Sequence, residues 1–167
     1  MFSTNLMIKN RRALRKRDAK ALIERFFDEW GIEFGDGLVE EGRINGTVIY
    51  MHDGHPIAIK YNDKLLPTLN ILIAHRPQIK YITVDMGAVP HIVNGADVMM
   101  PGIVDFHAPF EKGDVLWVRD VKNKMPIAVG IALISSSEFG REKKGKALKN
   151  IHYVGDKIWN AIKGELG

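Results

Sequence analysis

Hydrophobic positions in the first third of the chain repeat with the period of a helix. Leu22, Ile23, Phe26, Phe27 and Trp30 fall at one-face spacing, and Gly31 follows as a natural left-handed cap. Such side chains contribute about 1.5–3 kcal/mol each when buried, so this face is predicted to be core, with the Arg and Lys residues outward. Upstream, "LMIK" predicts a short strand, and the basic run after it leads into the helix. "GTVIYMHDGHPIAIKY" then predicts a hairpin. Its apolar, β-rich arms flank Asp53-Gly54, a pair favoured where both turn residues need positive φ. "PTLNILIAH" predicts a second helix with Thr68 as its cap, broken by "RPQ".

The pattern restarts after Pro77 with the strand "KYITV". Further short strands are predicted in "VMM", "GIV", "DVLWVRDV" and "PIAVGIALI", separated by Gly, Pro, Asp and Asn, a spacing that suits a small barrel or sandwich. "SSSE" reads as a capping box, "IHYV" as another strand, and Asp156 as the cap of a terminal helix carrying Ile158, Trp159 and Ile162. The fold class is α+β. A small N-terminal α/β domain over 1–78 precedes a β-rich domain over 79–160, and 161–167 completes the last helix.

One run breaks the regular patterning. "VDMGAVPHIVNGADVMMPGI", residues 84–103, contains two Gly-Ala pairs and little reactive side-chain chemistry. Asp85 suits a helix cap, and Gly87 and Ala88 keep the first turn nearly free of bulk. Val89, Ile92 and Val93 can face inward, which leaves Gly87, Pro90, His91 and Asn94 outward. Pro90 requires the helix to be short, Asn94-Gly95 ends it, and Pro101-Gly102 suits the centre of a type II turn. A bare helix face beside a Gly-Ala loop lets another backbone approach, and its amides can donate to phosphate or ribose oxygens. The same glycines could instead shape a tight barrel corner.

Charge sharpens this picture. The net charge is +4, and the basic excess is clustered: "KNRRALRKRDAK" (9–20) holds seven basic residues and one acid, "REKKGKALK" (141–149) five and one. Clustered base on a near-neutral body is the footprint of a polyanion binder, the alternative being two solvated faces. No apolar run approaches the length of a spanning helix, and the N-terminal charge follows a short apolar run, the reverse of a secretory signal. The chain has no cysteine, so disulfides, thiol nucleophiles and cysteine-ligated zinc are excluded, and a cytoplasmic setting is expected.

No catalytic constellation is predicted. "GREKKGKA" (140–147) fits phosphate-loop spacing, but Ala147 stands where that loop needs a hydroxyl, so a basic surface loop is the reading adopted. His52 and His55 bracket the hairpin turn without a third ligand, and His75 and His107 lack dyad partners. Ser135, Ser136 and Ser137 read as helix capping, and Glu40-Glu41 as a solvated pair in a polar connector. No metal, nucleotide or other cofactor is expected.

The segments "VDMGAVPHIVNGADVMMPGIV", "KGDVLWVRD", "PIAVGIALIS" and "NIHYVGDKIW", from Lys80 to Trp159, resemble the PUA domain, named for pseudouridine synthases and archaeosine transglycosylases. With "LPTLNILIAHRP" immediately before it, most of the chain resembles the malignant T-cell-amplified-sequence family, called translation machinery-associated in yeast, and its archaeal relatives. The resemblance implies a β pseudobarrel with short helices behind a smaller N-terminal domain. It also implies RNA binding through the first helix of the pseudobarrel and the loop after it. The family acts on the small ribosomal subunit, and its eukaryotic members work with a partner, density-regulated protein. Carried over to this chain, the RNA surface falls on Gly87, Ala88, His91, Asn94, Gly95, Ala96 and Asp97, with Met99, Met100 and Gly102 on the strand beside it. Asp85 and Asp97 are expected to shape this surface, since a carboxylate repels phosphate. Arg11, Arg12, Arg15, Lys16, Lys143, Lys144, Lys146 and Lys149 would supply phosphate contacts.

The function expected from this reading is that of a non-enzymatic RNA-binding protein of translation. Its partners would be ribosomal or transfer RNA, the small ribosomal subunit and a translation factor, with no membrane. Two other functions fit the same surface: an RNA-targeting subunit for a modifying enzyme, and a protein-interaction module.

Overall fold

The computed structural model describes residues 7–139, 141 and 143–166, the last two without their side chains. In chain order its elements are β1 (Lys9–Ala13), α1 (Lys16–Trp30), β2 (Val39–Ile44), β3 (Thr47–His52), β4 (His55–Tyr61), β5 (Lys64–Pro67) and α2 (Leu69–His75). There follow β6 (Tyr81–Val84), α3 (Val89–Ile92), β7 (Val98–Met99), β8 (Ile103–Phe106), β9 (Val115–Asp120), β10 (Pro126–Ala132), β11 (Lys146–Tyr153) and α4 (Lys157–Leu166). The chain forms two compact units, 1–77 with 157–167, and 78–156. The sequence division at 79–160 leaves the first turn of α4 with the β-rich domain, whereas that helix packs on β2 and β4 of the N-terminal unit.

In the N-terminal unit, β1 to β5 form a five-stranded antiparallel meander in sequential order. The Asp53-Gly54 hairpin is as predicted, with φ of 49° and 81° at the two turn residues. Helix α1 buries Phe26 and Trp30 and ends at Gly31, whose φ is 68° and whose N–H donates to the Phe27 carbonyl. The predicted face is too wide by one residue: Phe27 is 49% exposed. Thr68 does sit at the N-cap of α2, yet its hydroxyl donates to the Pro56 carbonyl instead of capping the helix.

The basic run required a larger correction. Arg11 and Arg12 lie on β1, not on a helix, and "LMIK" is not the strand. Leu6 lies outside the described residues, and Ile8 is buried just before β1. The connector read into Glu40-Glu41 is likewise strand β2, which places those carboxylates opposite the arginines. An edge strand whose side chains all face water can be fully charged, which hides the period-2 signal and protects the edge.

In the second unit, six strands form a mixed sheet ordered β7-β11-β10-β9-β6-β8, with β6 and β9 the parallel pair. The two edge strands are consecutive in the chain, joined by a single 3-10 turn over Met100–Gly102, so the sheet curls back on itself. This curled sheet is the pseudobarrel implied by the resemblance, and Ile82, Val84, Leu116, Val118 and Leu148 fill it. The 3-10 turn replaces the type II turn expected at Pro101-Gly102. Gly102 takes no positive φ; the site instead lacks room, because a Cβ there would lie 3.1 Å from that of Ala88. The phosphate-loop spacing has no matching geometry, since Lys146 opens a strand where such a loop needs a helix, and Gly140 and Glu142 lie outside the described residues. No described helix is long and apolar enough to cross a membrane.

Candidate nucleic-acid interface

The run 84–103 builds one side of an open cleft in the second unit. Its entry is a tight turn in which Asp85 N–H donates to the Gly102 carbonyl at 2.9 Å, and Asp85 Oδ1 accepts from Ala88 N–H at 2.9 Å. Asp85 therefore caps the turn before α3, three residues ahead of the helix N-cap at Ala88. Gly87 is exposed within that turn. Helix α3 is a single turn with Pro90 in its first positions, Ile92 buried, and Val89 and Val93 packed on the core. His91 and Asn94 face outward, as the pattern predicted. Gly95 takes a φ of 98°, and a Cβ there would come 3.1 Å from the Tyr153 hydroxyl.

The cleft is 710 Å³ in volume and gathers most of the predicted surface. Ala88, His91, Gly95, Ala96, Asp97, Met99, Gly102 and Lys146 all line it, together with Asp85, Ile92 and Pro101. Gly87 and Asn94 are exposed without lining it. Met100 does not belong to this surface. It is 8% exposed and lines a separate 370 Å³ groove with Ile103, Phe106 and Phe139, because the 3-10 turn rotates it away from Met99.

Charges in the cleft are arranged differently from the sequence expectation. Asp97 Oδ1 accepts from the main-chain N–H of Asn150 at 2.9 Å, and its Oδ2 pairs with Lys146 Nζ at 3.0 Å. Burial pushes the Asp97 carboxyl up, but the Asn150 N–H, Lys146 and the more distant charge of Lys149 outweigh it and hold the group below its ordinary value. Lys146 is thus tied to a carboxylate, although it was predicted to contact phosphate. Lys143, Lys144 and Lys149 are exposed, and Lys143 lines the groove beside Met100.

Among the N-terminal arginines, Arg11 pairs with Glu40 at 3.2 Å and Arg12 with Glu41. Arg15 is the N-cap residue of α1 and Lys16 its first residue, both exposed; Arg12 and Arg15 line a 350 Å³ groove in that unit. Three of the eight predicted phosphate-binding residues, Arg11, Arg12 and Lys146, therefore already share their charge with a carboxylate. The hairpin histidine His52 is held by a 2.8 Å hydrogen bond between Nε2 and the Gly35 carbonyl.

Comparison with known proteins agrees with the fold. The PUA domain profile matches residues 80–154, and a domain of unknown function (DUF1947) matches residues 10–75. A conserved PUA domain protein of solved structure from Thermoplasma acidophilum is 33% identical, with a TM-score of 0.77, covering 92% of this chain and 99% of that one. The chain belongs to the PUA-domain protein family. An uncharacterised protein of Methanocaldococcus jannaschii is 44% identical over 92% of this chain and 97% of its own length. Translation machinery-associated protein 20 of Saccharomyces cerevisiae is 26% identical over 67% of this chain, which spans 65% of the yeast protein. The resemblance to the translation machinery-associated family thus extends beyond the PUA unit.

Sequence reasoning missed Pro101 in the lining of this PUA unit's cleft, and Tyr153 and Asn150 behind its loop. Pro101 was read only as a turn former, and Tyr153 as strand filler. Asn150 was not singled out at all, because a strand that also carries Lys146, Lys149 and His152 gives one more polar side chain no contrast.

Proposed function

We propose that this PUA protein is a non-enzymatic RNA-binding protein of translation, which seats ribosomal or transfer RNA on the small ribosomal subunit against the cleft beside α3. The observation that carries the proposal is the convergence of Ala88, His91, Gly95, Ala96, Asp97, Met99 and Gly102 on one open, sparsely decorated surface within the segment matched by the PUA profile. Small residues let a second backbone approach closely.

The charges divide the work. Inside the cleft stand two carboxylates, Asp85 and Asp97, and one ammonium, Lys146, already paired with Asp97. Phosphate is repelled there, so base and ribose edges enter the cleft, while phosphates lie over the exposed Lys143, Lys144 and Lys149. Arg15 and Lys16 offer a further basic site on the N-terminal unit. The translation setting is supported by the yeast relative, whose name places it with the translation machinery.

Isolating the tagged protein with its native partners tests this function. Recovery of small ribosomal subunits, lost on Gly87→Arg, is the expected result. Recovery of an RNA-modifying enzyme, or of protein partners without RNA, would replace the proposal with one of its two competitors.

A further inference from the structure

The loop between α3 and β7 has little side-chain substance of its own, since Gly95 and Ala96 lie at its centre. Its shape is imposed from β11. Asn150 Nδ2 donates to the carbonyls of Ile92 and Ala96, both at 3.0 Å, and the Asn150 main-chain N–H donates to Asp97 Oδ1 at 2.9 Å. One residue therefore ties the end of α3 to the start of β7. The orientation of the amide is fixed by its partners, because turning it over would set its oxygen against two carbonyl oxygens. That oxygen is itself buried with no hydrogen-bond partner among the described residues.

The strand is bent to deliver this side chain. Val129 of β10 faces His152, but Gly130 faces Asn150, so Ile151 is an extra residue in a β-bulge. Bulges re-aim side chains beside functional sites. The bulge also explains Gly130: a Cβ there would lie 1.9 Å from the Lys149 carbonyl oxygen. Asn150 does not line the cleft.

Resting on the RNA reading of the cleft, we propose that Asn150 is a positioning residue for RNA binding. Its amide donors hold Gly95, Ala96 and Asp97 in the conformation that admits RNA, without touching RNA themselves. Asn150→Asp keeps the size and removes the donors, and Asn150→Ala removes both. Each is compared with wild type and Gly87→Arg for affinity to unfractionated transfer RNA and to purified small ribosomal subunits. Amide hydrogen exchange is followed in the same samples. The expected result is an affinity loss of at least tenfold in both Asn150 variants, with faster exchange at residues 93–97 and protection of β9 and β10 unchanged. If Gly87→Arg weakens binding but neither Asn150 variant does, the positioning role is wrong and the cleft reading stands. If none of the three variants alters binding, the cleft reading fails and takes this proposal with it. Loss of protection across β9 and β10 in both Asn150 variants would make Asn150 a folding residue and overturn the proposal.

Discussion

Adding bulk at Gly87, at the rim of the cleft, separates RNA docking from folding more cleanly than a change at Gly95 or Gly102. A Cβ at Gly87 meets only Asp85 Oδ1, at the ordinary contact distance of 3.4 Å, and the residue takes no left-handed φ. Gly95 and Gly102 are unsuitable, because a Cβ at either comes within 3.1 Å of a neighbour, and Gly95 is also left-handed. Gly87→Arg is therefore expected to change stability by no more than about 0.5 kcal/mol, as for an exposed surface site. Its effect on RNA has two opposed parts. The new charge adds attraction of roughly 1 kcal/mol to a phosphate 4 Å away in water, less with salt. The new side chain keeps the Ala88 side of the cleft from seating, and a tenfold weakening, about 1.4 kcal/mol, requires only that this loss exceed the attraction by that amount. Gly87→Glu carries the same obstruction with the opposite charge, so it should bind about ten- to thirtyfold more weakly than the Arg variant, a difference of roughly 2 kcal/mol before screening. Filter binding or fluorescence anisotropy with unfractionated transfer RNA, alongside thermal unfolding, measures both quantities. Two folded variants that bind as wild type does would show that the bare turn is structural and that the RNA surface lies elsewhere.

Salt and lysine variants test how the charges are divided. With about three to five phosphate contacts, log K should fall against log salt with a slope of roughly −2 to −4, and a flat response would point to a protein partner. Lys143→Ala and Lys144→Ala should each make that slope shallower by about 1, whereas Lys146→Ala, which loses an ion pair with Asp97, should change it less; equal effects would refute the division. Asp97 has a folded-state pKa below its unfolded value, so its stabilisation is present above the unfolded value, about 3.9, and disappears as pH falls through the lower folded value. Asp97→Asn should accordingly destabilise at pH 7 by an amount that shrinks towards pH 3 in urea unfolding, and a cost independent of pH would contradict the assignment. Gly130→Ala should cost about 3 kcal/mol or more, because its Cβ would overlap the Lys149 carbonyl, and an unchanged thermal midpoint would mean that the bulge relaxes freely.

Elements whose identity rests on local chemistry were legible in the sequence. Asp53-Gly54 determines its hairpin because both residues tolerate positive φ, and Gly31 ends α1 for the same reason. The inward set Val89, Ile92 and Val93 was legible because a single helical turn still has a face. Features set by distant partners were not. The sequence "KNRRA" becomes a strand because β2 offers Glu40 and Glu41 opposite Arg11 and Arg12, sites 29 residues away. Pro101-Gly102 has the composition of a type II turn, but closure of the sheet between β7 and β8 forces a 3-10 turn and buries Met100. Much of the site was legible for the opposite reason: the Gly-Ala pairs are conspicuous by lacking side chains. Asn150 lies more than fifty residues from the loop it holds, so only the folded chain brings it into view.

Whether RNA lies in the cleft beside α3 can be read out by photochemical cross-linking. Purified small ribosomal subunits carrying the bound protein would be irradiated and digested, and peptides bearing a nucleotide identified by mass spectrometry. Nucleotide adducts are expected on peptides containing His91 and Met99, exposed and photoreactive side chains of the cleft, with their loss in Gly87→Glu. Adducts confined to the N-terminal unit, with none between residues 85 and 102, would contradict that placement.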